Sequence, residues 1–499
     1  MCGIFAMTGH ISKKQMKDVL TSMKHRGPDE GKEVPLPSFH LGHQRLSIIG
    51  LEDGIQPIHN EDQSKWIVCN GEIYNYPSLK NQLEKEVTFL TESDSEAALK
   101  VVEAEGVDGI RKLDGMFAFF IADTTTESFI AARDTLGIKP LYYGKDEHGE
   151  YVFSSELKTL YHVTDEVSEF PAGHYYTPET GFVSYRTIRN PVASEKGEQA
   201  ITSAIKERLT KAVEKRLLAD VEVGVLLSGG LDSSLIAAIA ASLNQSDQPV
   251  KSFCVGSEGS EDILRAREVA KAIGTEHYEY VYTQEELVEA IPHVIYALES
   301  YEPSLVRSAI PNYFVSKLAS QHVKVILSGE GADELFAGYD YLSKYETTES
   351  LNEEIIRIMN TLHNINLQRG DRMSMAHSLE LRVPFLDLEL IDEALSIPAH
   401  LKLHTEDQME KTILRKSFDG MLPDHVLWRK KEEFSAGSGA LDILEGYANE
   451  YISDKEWERL TKEANVPLRS KQEALYFKYF KQYFPQTSAL ETIGKWATA

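Results

Sequence analysis

The sequence contains only three cysteines among its 499 residues, namely Cys2, Cys69 and Cys254. They are too few and too widely spaced for a disulfide framework or a CxxC zinc site, and such usage is typical of a reducing compartment. The sequence also lacks a run of about 18 apolar residues, and its start lacks the basic and apolar segments of a secretory signal. We therefore expect a cytoplasmic protein with no membrane partner.

Basic residues are scarce relative to acidic ones. The chain has 52 Lys and Arg against 78 Asp and Glu, which gives a formal net charge of -26. A strongly negative protein repels polyanions, so we expect no nucleic-acid partner and no binding to anionic membranes. A chain of 499 residues with 42% hydrophobic residues forms more than one hydrophobic core, and two domains are predicted.

Two patterns divide the chain. Up to about residue 185, short β-type runs such as WIVCNG and MFAFFIAD alternate with turn residues, which predicts stacked sheets. A polar stretch at 190–199 follows, and then strands alternate with helices, which predicts a parallel α/β sheet that binds ligands beyond the carboxyl ends of its strands. Residues 345–485 read as largely helical. We predict domains at 2–188 and 200–499.

A glycine pair follows the first predicted strand of the second domain, in VEVGVLLSGGLDSSLIAAI. No Walker A sequence occurs anywhere in the chain. Backbone N–H groups at a strand-to-helix turn, together with the positive end of the helix, favour a phosphate or pyrophosphate. Asp232 is suited to hold a metal ion that bridges phosphates. The phosphate-binding candidates are Ser228, Gly229, Gly230, Ser233 and Ser234.

A second strand-to-loop element, VILSGEGADELFAGY, carries Ser328, Gly329, Glu330, Asp333 and Glu334. Two acidic clusters that face one crevice repel each other unless a cation lies between them, which predicts Mg²⁺ held by Asp232 and Asp333. A departing pyrophosphate and a carboxylate substrate both need positive charge nearby. The candidate cations are Arg369, Arg372, Arg382, Lys430 and Lys431.

The N-terminal sequence MCGIFA places Cys2 directly after the initiator methionine. If Met1 is removed, the α-amine of Cys2, with a reference pKa of about 8, can act as the base for its own thiol. The motifs HQRLSII, NGEIYN and SDSE supply an Arg and an Asp for the charged groups of a free amino acid, and an Asn–Gly pair for an oxyanion hole. The residues are Arg45, Asp94, Asn70 and Gly71. This set predicts an amino-acid amide hydrolase.

These motifs occur in one order together with CGIFA, RGPDE, LELRVPFLD and WRKKEEF, and the chain thereby resembles the glutamine-hydrolysing asparagine synthetases over nearly its whole length. The resemblance implies a class II glutamine amidotransferase domain of N-terminal nucleophile fold, an αββα sandwich. It further implies a following adenine-nucleotide α-hydrolase-like domain of the ATP pyrophosphatase type, with a parallel α/β sheet and a helical C-terminal part.

The resemblance also implies residue roles. Cys2 is the nucleophile, and Glu330 acts during ammonia attack. Lys431 and Arg369 stabilise charge near pyrophosphate, while Asp232 and Asp333 bind Mg²⁺. Glutamine contacts are implied for Arg45, Leu46, Ser47, Ile48, Ile49, Asn70, Gly71, Glu72 and Asp94. Contacts to ATP are implied for Leu227, Val255, Ser328 and Gly329 in addition to the glycine-pair loop.

The implied activity is hydrolysis of glutamine to ammonia and conversion of aspartate, through β-aspartyl-AMP, to asparagine, AMP and pyrophosphate. One alternative is a related amidotransferase or β-lactam synthetase that acts on another carboxylate. A second is a non-catalytic glutamine or nucleotide sensor, against which the joint presence of Cys2, Asn70, Asp232 and Lys431 argues. Asn366 departs from the Asp of some relatives. A homodimer is left open.

Overall fold

A computed structural model describes residues 2–85, 87–404, 409–430, 440–464 and 467–495. Two antiparallel sheets form the first half, each with six strands in the described part of the chain. Across the first sheet the order is Val167–Glu169 (β10), Tyr142–Lys145 (β8), Tyr151–Ser154 (β9), Cys2–Thr8 (β1), Phe39–Arg45 (β3) and Glu30–Pro35 (β2). Across the second it is Gly181–Ser184 (β12), His174–Thr177 (β11), Ser128–Arg133 (β7), Gly115–Asp123 (β6), Lys65–Ile73 (β5) and Ile58–His59 (β4).

The two sheets pack face to face. Alternate residues of a strand share one face, so β1, β3, β5, β6 and β9 contribute one core of Ile4, Leu41, Val68, Phe120 and Phe153. Helices Lys13–Ser22 (α1) and Leu157–Leu160 (α4) cover the first sheet, and Tyr76–Leu83 (α2) and Asp94–Glu105 (α3) lie against the second. These four layers confirm the predicted αββα sandwich.

A parallel sheet organises the second half, as predicted. Its order is Glu276–Val281 (β15), Lys251–Gly256 (β14), Val223–Leu226 (β13), Val325–Leu327 (β16) and Glu380–Arg382 (β17). The connecting helices are Glu198–Arg216 (α5), Leu231–Leu243 (α6), Glu261–Ile273 (α7), Gln284–Leu298 (α8) and Pro303–Ala319 (α9). The apolar face predicted for α5 is buried, with Ile201, Ile205, Leu209 and Val213 in the core.

In the described ranges of the C-terminal part the regular elements are helices apart from β17, which the largely helical prediction for 345–485 did not anticipate. Its three residues pair with β16, and a strand this short carries no visible alternation. No described helix has both the length and the apolar character of a membrane-spanning segment. The remaining α-helices among the residues that the structure describes are Ala332–Leu335 (α10), Thr348–Met359 (α11), Asn366–Met375 (α12), Leu388–Ser396 (α13), Ala399–Lys402 (α14), Thr412–Ser417 (α15), Asp424–Leu427 (α16), Ala440–Tyr451 (α17), Asp454–Ala464 (α18), Lys471–Tyr483 (α19) and Ser488–Glu491 (α20).

Buried contacts join the two halves. An apolar cluster combines Leu46 and Ile48 of the first half with Val325 and Met375 of the second. Beside it, the backbone N–H of Asp220 donates to the carbonyl of Ile48 at 2.9 Å. The loop that follows β3 is therefore in direct contact with the parallel sheet, which places the two predicted sites on either side of one interface.

Candidate functional site

Cys2 begins β1 and is buried. Its backbone N–H donates to Asn70 Oδ1 at 3.0 Å, and its carbonyl accepts from Arg26 Nε at 3.0 Å. Both backbone polar groups of Cys2 are thus held by side chains. Burial raises the pKa of the Cys2 thiol above its ordinary 9.0, so the thiol is protonated at neutral pH. Nucleophilic attack from this position needs a base that removes the thiol proton.

Asn70 and Gly71 lie on β5, next to Cys2. Asn70 is fully buried, and its Nδ2 has no hydrogen-bond partner among the described residues. An unpaired buried donor is costly and is a common sign of a functional site. Gly71 has a φ of 150°, and a Cβ there would lie 2.0 Å from the carbonyl oxygen of Met116. This position therefore requires glycine, and the neighbouring Nδ2 is available to an oxyanion.

Two buried carboxyl groups accompany the Asn–Gly pair. Asp94 begins α3, accepts the N–H of Ile73 at 2.7 Å, and has its pKa raised to about 6, mainly by burial. Glu72 lies 3.3 Å from Arg382, and burial together with the charges of Glu380 and Asp94 raises the pKa of Glu72 well above its usual range. The pocket is thus suited to a ligand that carries an ammonium group.

Arg45 is paired directly with Cys2 in the β1–β3 register. Its guanidinium donates to the carbonyl oxygens of Gly50 at 2.6 Å and Leu51 at 3.2 Å, and so holds the loop that follows β3. The predicted glutamine-binding residues Leu46, Ser47, Ile48 and Ile49 lie on this loop. The structure brings Cys2 and Arg45 together, while contact of Arg45 with a substrate carboxylate stays a prediction.

The second site is a cavity of about 470 Å³ at the carboxyl ends of β13, β14 and β16. A Cβ on Gly329 would lie 2.9 Å from the backbone of both Asp232 and Ser233, so the two predicted loops meet at backbone distance. Predicted residues that line the cavity are Leu227, Ser228, Gly230, Asp232, Ser233, Val255, Ser328, Gly329, Glu330, Asp333 and Arg369.

Apart from the candidate cations Arg372 and Arg382, two predicted residues of the second site do not belong to the described lining. Ser234 is buried within α6. Gly229 has a φ of 77°, and its carbonyl accepts from Arg429 at 3.1 Å. Lys431 lies outside the described residues.

Comparison with known proteins matches each half of the chain to a protein family. Residues 1–196 match the model of the glutamine amidotransferase domain, and residues 204–350 and 343–496 match that of asparagine synthase. Asparagine synthetase B from Escherichia coli is 37% identical over 99% of this chain and 93% of its own length. The chain belongs to the glutamine-hydrolysing asparagine synthetase family. A probable asparagine synthetase from Dictyostelium discoideum is 37% identical over 99% of this chain and 96% of its own, and asparagine synthetase 2 from Arabidopsis thaliana is 38% identical over 99% and 89%.

In this asparagine synthetase family member, Lys411 is a site residue that sequence reasoning missed. Its Nζ lies 2.6 Å from Asp232 Oδ2 and 2.6 Å from Asp333 Oδ1. Burial lowers the pKa of Lys411, but the two carboxylates raise it by more, so the pKa lies above its ordinary range. Lys411 also has a φ of 56°, a strained conformation for a non-glycine residue. No motif spacing in the sequence identifies it.

The positions of Asp232 and Asp333 bear on the predicted Mg²⁺ site. Among the described residues no group of three or more His, Cys, Asp or Glu side chains is arranged to hold a metal ion. Asp232 and Asp333 nevertheless converge on one cationic atom, the Nζ of Lys411. Mg²⁺ is commonly held by one or two carboxylates together with substrate phosphates. The two carboxylates therefore fit Mg²⁺ bound with a nucleotide, rather than a site made by protein alone.

A carboxyl group with a raised pKa lies elsewhere in the synthetase cavity. Glu334 accepts from the Tyr339 hydroxyl at 2.7 Å and from Asn366 Nδ2 at 3.2 Å. Burial, with the charges of Asp333 and Glu330, raises the pKa of Glu334 to about 7. Glu334, Tyr339 and Asn366 all line the cavity, so this pocket has a polar subsite besides the phosphate loops.

The candidate cations divide into two groups. Arg369 and Lys430 line the cavity, and Arg369 forms an ion pair with Glu330. Arg372 and Arg382 do not line it. Arg372 is buried 2.9 Å from Glu299, and Arg382 is buried 2.6 Å from Glu380. Further cations that line the cavity are Arg265, Arg307, Lys411, Arg415 and Arg429.

Proposed function

We propose that this protein is a glutamine-dependent asparagine synthetase, an ATP-dependent carbon–nitrogen ligase with two active sites. One observation carries the proposal: the chain combines a buried thiol, next to an Asn70 Nδ2 with no partner among the described residues, with a cavity lined by the two glycine-containing loops at 228–234 and 328–334. We assign the amidotransferase to 2–188 and the synthetase to 200–499. The cytoplasmic location and the homodimer stay predictions.

The first reaction is glutamine hydrolysis. After removal of Met1, the Cys2 α-amine takes the thiol proton, and the thiolate attacks the side-chain amide carbon of glutamine. Asn70 Nδ2 and the Gly71 N–H stabilise the oxyanion, and Asp94 and Arg45 hold the α-ammonium and α-carboxylate. Ammonia leaves with the transferred proton, and water then cleaves the thioester to release glutamate.

The second reaction is activation of aspartate. Its β-carboxylate attacks the α-phosphorus of ATP, the bond to pyrophosphate breaks, and β-aspartyl-AMP forms. Asp232 and Asp333 would hold Mg²⁺, which would supply charge neutralisation at the phosphates. Arg369, Lys430 and Lys431 offset the remaining charge on pyrophosphate. Ammonia from the first site then attacks the activated carbonyl, Glu330 accepts its proton, and AMP departs.

The apolar cluster of Leu46, Ile48, Val325 and Met375 lies at the interface between the halves. It supports transfer of ammonia within the protein, because neutral ammonia loses nucleophilicity when it is protonated in water. A related amidotransferase for another carboxylate shares both sites, and it differs only in the substrate that generates pyrophosphate. A lactam-forming enzyme uses no external ammonia, and the assembled Cys2, Asn70 and Asp94 pocket argues against it.

A Cys2→Ala variant tests the division of labour. We expect loss of glutamine-dependent asparagine formation and retention of ammonium-dependent formation within about twofold, because the second site does not use sulfur. Asparagine, AMP and pyrophosphate are measured with MgATP, aspartate and either nitrogen source. Loss of both activities in a folded variant contradicts the proposal. Equal pyrophosphate release with another carboxylic acid in place of aspartate identifies the alternative substrate class.

A further inference from the structure

The arginines that line the synthetase cavity differ in their partners. Four of the five in the described lining form an ion pair with a carboxylate, namely Arg265 with Glu261, Arg369 with Glu330, Arg415 with Glu410 and Arg429 with Glu268. Arg307 instead donates from Nη1 to Gln472 Oε1 at 2.9 Å and from Nη2 to Ser304 Oγ at 3.0 Å. Both acceptors are neutral. Arg307 thus forms no ion pair among the described residues, and its positive charge is available to a ligand.

Arg307 lies on α9 beside two hydroxyl groups. Arg307 and Ser308 follow Ser304 by three and four residues, so the three side chains share one face of the helix, and all of them line the cavity. Aspartate has two carboxylates, and only the β-carboxylate attacks ATP in the proposed reaction. The α-carboxylate keeps its charge throughout, and a charged group that leaves water needs a partner. A guanidinium without an ion-pair partner is suited to bind it.

Gln472 holds this guanidinium from the C-terminal part of the chain. It lies in the first turn of α19 and is buried. A guanidinium has only donors, so the side-chain amide oxygen of Gln472 is the atom that fixes Nη1. Ordering a long arginine side chain costs conformational entropy, and a ligand does not bear this cost when the side chain is already held. A second contact, from Arg469 to Glu302 at 3.0 Å, docks the start of α19 against the start of α9.

We propose that Gln472 is a positioning residue for the amino-acid substrate of the synthetase cavity. It holds Arg307 so that the guanidinium meets the carboxylate of the substrate that does not react with ATP. As a neutral acceptor, Gln472 fixes the position of this cation without cancelling its charge. The inference rests on the proposed function, because it requires that aspartate is activated in this cavity.

Gln472→Leu and Gln472→Glu test the proposal in the full-length protein. Pyrophosphate release is measured with MgATP and ammonium while aspartate is varied. For Gln472→Leu we expect the KM for aspartate to rise about tenfold, with kcat and the KM for ATP within about twofold of the parent, because the contact serves only the binding of one carboxylate. Gln472→Glu keeps the shape and an acceptor oxygen, but its charge neutralises Arg307, so we expect an equal or larger rise. If either variant keeps the parent KM for aspartate, the proposal is overturned.

A double variant tests whether Gln472 acts through Arg307. Arg307→Lys keeps a positive charge, so activity remains measurable, but a single ammonium group lacks the two-nitrogen fork of a guanidinium. We expect Arg307→Lys to raise the KM for aspartate about tenfold or more, and Gln472→Leu to add less than about twofold in that background. If the two effects multiply, Gln472 acts independently of Arg307, which contradicts the proposal.

Arg469→Gln is the matched control, because it breaks the contact with Glu302 and leaves the contact with Arg307 in place. We expect it to keep the parent KM for aspartate. A rise as large as that of Gln472→Leu would mean that helix docking alone is responsible, and it overturns the proposal. Glutamate release from glutamine reports whether each variant is folded, and if Gln472→Leu does not fold, the equally shaped Gln472→Glu decides the outcome. A parent protein that releases no pyrophosphate with aspartate would instead contradict the proposed function, so the two failures are distinguishable.

Discussion

The two sites of this chain are built in opposite ways. Around Cys2 the strands enclose the groups, and Asn70 is 0% exposed while Asp94 is 4% exposed. In the synthetase cavity the side chains of Asp232 and Asp333 are 23% and 25% exposed, and many of the groups are charged. Hydrolysis of a small amide substrate is favoured by a pocket that excludes water and holds a few hydrogen-bond donors in fixed positions. A polyphosphate instead requires an open cavity that supplies positive charge.

Asn70→Asp tests whether the enclosed site acts through one fixed donor. The new side chain keeps an oxygen for the Cys2 N–H and loses the Nδ2 donor. We expect the glutaminase kcat to fall about 10²- to 10³-fold, as for removal of one oxyanion donor, with ammonium-dependent synthesis preserved. Asn81→Asp, at an exposed position of α2, is the control and should keep parent kinetics. A raised KM with unchanged kcat would mean that Asn70 only binds substrate.

Lys411→Met tests whether the open site depends on balanced charge. Without the ammonium group, Asp232 and Asp333 face each other with less compensation. We expect a loss of about 2 kcal/mol in the free energy of unfolding, below the value for a fully buried pair because the carboxylates are partly exposed. With a non-hydrolysable ATP analogue present, Mg²⁺ should then raise the melting temperature more in the variant than in the parent, since it replaces the missing cation.

The control for Lys411 is Lys416→Met, because Lys416 contacts the exposed Glu198. We expect its melting temperature and its response to Mg²⁺ to match those of the parent. If Mg²⁺ with the nucleotide analogue stabilises Lys411→Met no more than the parent, the two carboxylates do not form the metal site. The difference between the sites would then lie in exposure alone, not in the use of a cation.

Much of the fold, and the glycine-rich loops of the synthetase cavity, could be predicted from local sequence. Periodicity and turn residues predict β14 at KSFCVG and the buried face of α5, because these elements repeat their apolar positions over several residues. The glycine-rich loops were also identified, since a Cβ at Gly329 has no room where two backbones meet. In both cases the physical constraint acts on neighbours along the chain.

Contacts between distant residues were not predictable in this way. Lys411 meets Asp232 across 179 positions, and Arg26 meets Asp371 across 345. Lys and Asp are abundant on surfaces, so nothing in their local sequence separates a buried partner from a solvated one. Strand β17 was not predicted for the same reason, because its three residues form a strand only through their pairing with β16.

The smallest expected difference between the two sites is in the pH dependence of glutamine hydrolysis. The pKa of Asp94 is raised to about 6, so this carboxyl is ionised at neutral pH and becomes protonated as the pH falls through about 6. Only the ionised form attracts the α-ammonium of glutamine. Protonation of the Cys2 α-amine lowers kcat and kcat/KM alike, so the Asp94 titration is read from the KM for glutamine, which we expect to rise about tenfold per pH unit below 6. The measurement is the pH profile of glutamate release. Asp94→Asn should have a high KM at every pH and lack this step, and an unchanged step in that variant would assign the titration to another group.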